Sequence, residues 1–299
     1  MSRLDGSPIR VQLIGGLGNQ LFGYAAGAAL ALDLGRHLEL DTSWTRYGMT
    51  DHGIAIQEFD LPGNWLSDKR LMTRVLPPGS VRGRFGQKIT SSFGRFPRQT
   101  SIFYWKTGDS LTDVLRKQPR YLRGYFQHIS FVNYLEEFDK PMDFTIRRPS
   151  RRFLELSSHV RDERPIAIHV RMGDYRQLGF GYRLSPSYYA NALDQVLTLK
   201  DLRQIWLFSD EPSQAIYEIP ILAQIRNRLM VVPSSLTPAE TLVILRNTST
   251  KILSNSTFSW WGAIHTNSPA IYVPTPWNLH QEPISLLPPD WTGVPATFQ

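Results

Sequence analysis

The 299-residue chain contains no cysteine, which excludes disulfides and thiolate metal sites while leaving the redox compartment open. Long hydrophobic runs are missing too. The most apolar stretch, Leu21–Leu34, is too short to cross a bilayer and carries Asp33. No basic segment followed by a long apolar run opens the sequence, so no signal peptide is expected. There is no Asp-x-Asp triplet and no His/Cys cluster, so no metal clamp for a diphosphate is predicted. The absence of G-x-x-x-x-G-K-(S/T) argues against a P-loop phosphotransferase, and that of G-x-S-x-G against an α/β-hydrolase. Acidic residues are missing between Lys69 and Lys106, where Arg70, Arg74, Arg82, Arg84, Lys88, Arg95 and Arg98 lie among prolines and glycines. That segment reads as a long basic loop, first a solvated surface and second a contact for acceptor or lipid. It matches no nucleic-acid-binding module, so no nucleic-acid partner is expected.

What is present describes a soluble globular protein of two domains: 41% hydrophobic and 20% charged residues, with a net charge of +7 that favours an anionic partner. Strands alternate with helices, which implies parallel, doubly wound sheets. Arg10–Ile14 reads as a strand running into Gly15-Gly-Leu-Gly-Asn-Gln20, then a helix over Leu21–Leu34 and a strand at Leu38–Asp41. Gly16 and Gly18 fit part of a dinucleotide fingerprint, but Leu21 stands where its third glycine belongs. Glycines there let a ligand approach the backbone, and Asn19 and Gln20 add amides at a helix start; the plainer alternative is a tight turn capped by Asn19. A helix at Ser67–Val75, strands at Ile102–Trp105 and Tyr121–Phe126 and a helix over 129–138 follow. The Pro-containing stretch Asp139–Pro149 marks the domain boundary. Beyond it, strands are predicted at 166–170, 204–208, 229–232, 251–254 and 270–273. The intervening helices include one opened by the capping-box spacing of Thr237-Pro-Ala-Glu240.

Ile166-Ala-Ile-His-Val170, bounded by Pro165 and Gly173, is a buried-type strand with His169, Arg171 and Asp174 at its carboxyl end, where open α/β sheets bind ligands. Arg171 offers a fork of donors matched to phosphate oxygens, Asp174 is placed to hold that fork, and His169 either donates to a ligand or braces the strand. The plainer alternative is a buried histidine beside a structural Arg–Asp pair. Two further strand ends are polar, Ser209/Asp210 and Ser254/Asn255/Ser256/Thr257. If their strands are neighbours, all three open onto one crevice, with a diphosphate between Arg171 and the last group and Asp210 accepting from a ribose or base edge.

These segments resemble the α-1,2-fucosyltransferases of glycosyltransferase family 11. Gly15–Phe22 resembles that family's opening motif GGLGNQ(M/L)F, and Gly124-Tyr-Phe-Gln127 resembles GYFQ. His169–Tyr175 resembles HxRRGDY, and Ser254–Gly262 resembles SNSTFSWW(G/A). Phe208–Asp210 and Val273–Trp277 are weaker matches, and residues 45–120 match poorly. The resemblance implies an α/β, GT-B-like architecture of two Rossmann-like domains facing a cleft: an acceptor-side domain over 1–145 and a GDP-fucose-binding domain over 146–299. It implies transfer of L-fucose from GDP-β-L-fucose to the 2-hydroxyl of a terminal galactose of a glycan, inverting and metal-independent, with no cofactor beyond the donor. By motif position, Arg171 would bind the diphosphate and stabilise departing GDP, with His169 and Asp174 in the same loop. Asp210, Ser254, Asn255, Ser256 and Thr257 would surround GDP, Gly16 and Gly18 would admit the donor, and Asn19 would face the transfer site. Asp174 is the one motif carboxylate to nominate as base; a path with weak base assistance is equally open. Met172 replaces the family's second arginine, which implies weaker donor binding or a substitute cation. Two rivals remain: a GT-B enzyme with another nucleotide sugar or acceptor, and a catalytically silent nucleotide- or glycan-binding homologue. The expected setting is cytoplasmic, with peripheral membrane association left open.

Overall fold

The computed structural model describes residues 6–46, 52–68, 102–173, 175, 181–197, 203–279 and 285–299. The chain divides into two compact units, Met1–Asp143 and Phe144–Gln299. The helix expected at Ser67–Val75 and most of the basic 69–106 segment lie outside the described residues.

Unit 1 runs β1 (Ile9–Gln12), α1 (Leu17–Asp33), β2 (Leu38–Asp41), the short α2 (Ser43–Arg46), a 3-10 turn at Ala55–Glu58, β3 (Asn64–Leu66), β4 (Ile102–Tyr104), α3 (Leu111–Lys117), β5 (Tyr121–Arg123) and α4 (Ser130–Glu137). Its sheet is parallel throughout, in the order β3-β2-β1-β5-β4. Alternation gives the sheet two unlike faces. Ile9, Val11, Leu40, Phe103 and Leu122 are buried on one of them. There α1 lies so close that a Cβ on Gly27 would sit 2.8 Å from Leu38 Cδ1 and 2.9 Å from Val11 Cγ1. The other face carries Arg10, Gln12, Glu39, Asp41, Tyr121 and Arg123, brought into register by the strand pairing. Arg10 pairs there with Glu39, and the Tyr121 hydroxyl donates to Asp41.

Helix α1 begins four residues before the expected Leu21. Gly15 takes φ 70°, which only glycine adopts freely, and an extended Gly16 precedes the helix. Leu17–Gln20 is therefore its first turn, and Asn19 sits inside the helix rather than capping it.

Unit 2 runs α5 (Arg151–Glu163), β6 (Ile166–Val170), α6 (Pro186–Leu197), β7 (Ile205–Ser209), α7 (Pro212–Glu218), α8 (Pro220–Gln224), β8 (Leu229–Val231), α9 (Pro238–Asn247), β9 (Lys251–Ile252), α10 (Thr257–Trp261), β10 (Ile271–Thr275) and β11 (Thr292–Pro295). Its strands are all parallel, ordered β11-β10-β9-β6-β7-β8. The chain winds outward from β6 through β7 to β8, then returns to β9 beside β6 and winds the other way. Crevices that bind ligands form at such a switch point. The expected capping box forms: Thr237 Oγ1 accepts from the Glu240 amide at 3.2 Å and Glu240 Oε2 from the Thr237 amide at 3.1 Å. Glu240 Oε1 also accepts from the Ser150 amide, joining the first turns of α9 and α5. Trp260 and Trp261 are fully buried core residues. Among the described residues, no helix is long and apolar enough to cross a membrane.

Candidate active site

In unit 2 the carboxyl ends of β9, β6 and β7 are neighbours, so the three polar groups read from the sequence open side by side. Arg171 leaves the end of β6 and pairs with Asp210 from the end of β7, Nη1 to Oδ2 at 3.2 Å. The two side chains remain 27% and 24% exposed. Asp210 also accepts from the Met172 and Gly173 amides, each at 3.0 Å. One carboxylate thus orients both the arginine and the loop after it. Asp210, expected to accept from a ribose or base edge, thus holds the Arg171 fork; Asp174, expected in that holding role, lies outside the described residues.

His169 is 5% exposed, its Nδ1 is 2.7 Å from Ser254 Oγ, and its ring stacks on Phe258 at 5.5 Å. Burial, and then the Arg171 charge, push its pKa down to about 3, so the imidazole is neutral at physiological pH. It locks the end of β6 to the end of β9. Asn255 is 4% exposed and donates to the Tyr182 carbonyl at 2.9 Å, while its own carbonyl accepts from the Tyr175 hydroxyl at 3.0 Å. The Asn255 Oδ1 is buried without a partner. Ser256 caps the five-residue α10, and Ser259 Oγ donates to the Ser254 and Ser256 carbonyls at 2.9 Å. Thr257 is the first residue of that helix. Met172 is 4% exposed and packs among Val170, Leu184, Tyr188 and Tyr189. The residue at the family's second-arginine position therefore belongs to the core, not to the crevice. Arg183, ion-paired with Glu218 at 3.0 Å, lines the same small cavity as Arg171 and Met172.

In unit 1 the corresponding edge is built on β1 and β5. Asn19 Oδ1 accepts from Gln127 Nε2 at 3.0 Å, bringing the glycine-rich turn and the Gly124–Gln127 segment together. Gln20 is fully buried and structural: it donates to the Gly15 and Gly53 carbonyls at 2.8 and 2.7 Å and accepts from the Ile56 amide at 3.2 Å. Gly16 is open apart from the His52 ring, 3.9 Å from where a Cβ would lie, whereas Gly18 is buried in α1. Gly124 takes φ 139°, and a Cβ there would meet Trp105 Cβ at 2.6 Å. Gln127 and Tyr175 were not singled out from the sequence as functional. The signals for both were present, since each lies inside a motif, but a motif does not say which of its side chains face inward. Among the described residues no group of His, Cys, Asp or Glu is arranged to hold a metal ion.

Comparison with known proteins gives a family. The model of glycosyl transferase family 11 matches residues 108–294. An alpha-1,2-colitosyltransferase of Escherichia coli is 24% identical over 286 residues, covering 92% of this chain and 94% of the relative. Among solved structures, the fucosyltransferase NodZ from Bradyrhizobium superposes with a TM-score of 0.51 at 14% identity, covering 89% of this chain and 94% of that one. NodZ alpha-1,6-fucosyltransferase co-crystallised with GDP gives the same values. A family 9 glycosyl transferase from Veillonella parvula DSM 2008 has a TM-score of 0.51 at 13% identity, covering 98% and 87%. The fold is thus GT-B-like, with two Rossmann-like units.

Proposed function

Because the chain belongs to glycosyl transferase family 11, we propose that this glycosyltransferase moves L-fucose from GDP-β-L-fucose to the 2-hydroxyl of a terminal galactose, with inversion and without a metal. The observation that carries the reading is Arg171 at the β6–β9 switch point, fixed by Asp210 yet still partly open. As the bond from the sugar C1 to the β-phosphate oxygen breaks, negative charge gathers on the diphosphate. A fixed guanidinium stabilises that charge without reorganising. The acceptor oxygen attacks C1 from the opposite face and gives up its proton. Asp174 is the proposed base, and a path with little base assistance remains its alternative.

His169, Asp210, Ser254, Asn255, Ser256 and Thr257 are proposed to wall the donor site, with Asp210 also holding Arg171. Asn19, with Gly16 and Gly18 around it, is proposed for the transfer site. Unit 2 would hold the donor and unit 1 the acceptor. A structure of the same fold co-crystallised with GDP makes guanosine diphosphate the first nucleotide to test. The colitosyltransferase relative supports a second reading in which the donor sugar is colitose, which is L-fucose without its 3-hydroxyl.

The test is GDP release from GDP-fucose in EDTA, with and without lactose or N-acetyllactosamine, beside the same assay with GDP-colitose. Lactose-stimulated release with a 2-linked product supports donor, linkage and metal independence together. Release from GDP-colitose alone favours the second reading. GDP binding with no transfer from either donor overturns both.

A further inference from the structure

We propose that Arg123 is an anion site of the acceptor half, receiving a carboxylate or phosphate on the sugar next to the accepting galactose. The argument begins at the polar face of the unit 1 sheet. Arg123 ends β5 and is 9% exposed. Its guanidinium lies over the Trp44 ring at 5.1 Å and the Tyr104 ring at 5.9 Å. The acids that share its face are already engaged. Asp41 accepts from the Tyr121 hydroxyl and the Ser43 amide, and Glu39 pairs with Arg10. Arg123 Nη1 is buried without a hydrogen-bond partner. Two aromatic rings and a hydrogen bond with Tyr104 offset part of the cost of burying a guanidinium, but Nη1 of the planar fork is left without an acceptor. A buried charge with no counter-charge is costly, and an anion that accepts from the planar fork removes that cost. Burial correspondingly lowers the pKa of Arg123 from its ordinary value.

Among the described residues of unit 1, three further buried polar atoms have no partner: Gln12 Oε1, Thr45 Oγ1 and Ser67 Oγ. Gln12 ends β1, Thr45 lies in α2 just after β2, and Ser67 directly follows β3. All four atoms therefore lie at the carboxyl edge of one sheet, where α/β proteins bind ligands. Native interiors seldom leave such groups unpaired, and several together mark a place where a polar ligand completes them. A polyhydroxylated sugar offers both donors and acceptors, and an acidic one also offers the counter-ion. The position relative to the proposed chemistry is direct, because Arg123 precedes the Gly124–Gln127 segment that reaches Asn19.

This proposal rests on the galactoside reading above, so the experiment separates the two. Binding and turnover are measured for lactose, for lactobionate, in which the galactose is attached to gluconate, and for lactose 1-phosphate. The expected result is at least ~10-fold tighter binding and higher kcat/KM for one acidic acceptor than for lactose. Lactobionate in the lead identifies a carboxylate, and lactose 1-phosphate identifies a phosphate. Arg123→Met removes the preference and leaves lactose unchanged. Should that variant fail to fold, Arg123→Lys keeps the charge without the fork, and about a threefold or greater loss of preference is expected. Acidic acceptors that bind no better than lactose overturn the assignment. So does a preference that survives Arg123→Met, or Arg123→Lys where Arg123→Met does not fold. GDP binding and donor hydrolysis are read in parallel. If both persist while no galactoside is ever fucosylated, the galactoside reading fails, and Arg123 still stands or falls on the binding ratio.

Discussion

The role proposed for Arg171 separates its part in stability from its part in rate. Its ion pair with Asp210 is partly exposed on both sides, and pairs of that kind contribute about 1 kcal/mol or less to folding. A fixed cation facing a departing diphosphate is worth about 3 kcal/mol or more in rate. Arg171→Ala is therefore expected to lower turnover by at least ~10²-fold, with a melting midpoint only about 2–4 °C lower. Near-normal turnover would take Arg171 out of the chemistry. His169 makes the opposite prediction, a stability effect that follows pH. Its folded pKa lies near 3, below the usual value near 6.5, so between those values the unfolded chain binds more protons. The stabilisation is fully present above about pH 6.5 and is lost as pH falls toward 3, by up to about 1.4 kcal/mol per unit. His169→Gln should flatten that dependence in urea melts across the window. An unchanged slope would mean that His169 does not carry it.

At the scale of elements, α1 is fixed by a missing side chain. Gly27 lets the helix touch Val11 and Leu38, and a Cβ in that space would overlap both. Gly27→Val is expected to cost about 1–3 kcal/mol by forcing the helix off the sheet. A midpoint unchanged in urea would refute so tight a contact. The same helix illustrates what could be read from sequence. Its alanines and leucines announced a helix, but its start did not follow from composition, because the turn depends on the positive φ of Gly15. Strand β2 was legible to its ends, since Gly35 stops the helix before it and Leu38 and Leu40 alternate with polar residues along it. β3 and β11 were not: Asn64-Trp65-Leu66 is too short to show a period, and Thr292–Pro295 contains a glycine and a proline. The partner of Arg171 was hidden for another reason. Asp210 reaches it because β7 lies beside β6, and strand order is not written in either segment.

For the whole molecule, the proposed division of labour predicts that substitutions in the two units fail in different ways. His169, Arg171, Asp210 and Ser254 are tied to one another within unit 2, and Asn19 and Gln127 are tied within unit 1. If unit 2 holds the nucleotide, Arg171→Ala should weaken GDP binding about 10-fold or more, the scale of a lost charged hydrogen bond of about 1.5–3 kcal/mol. Asn19→Ala should leave GDP affinity within about twofold of the parent, because its one described side-chain partner is Gln127. Transfer to acceptor should nevertheless fall at least ~10-fold in Asn19→Ala, with kcat reduced more than the donor KM is raised. Both quantities can be read on the same preparations, GDP affinity by calorimetry and transfer by product formation at saturating donor. Asn19→Ala that loses GDP binding would put the nucleotide against unit 1 and reverse the assignment. Arg171→Ala that keeps GDP affinity but loses transfer would leave the assignment in place and confine the arginine to the departing charge, which grows only as the glycosidic phosphate bond breaks.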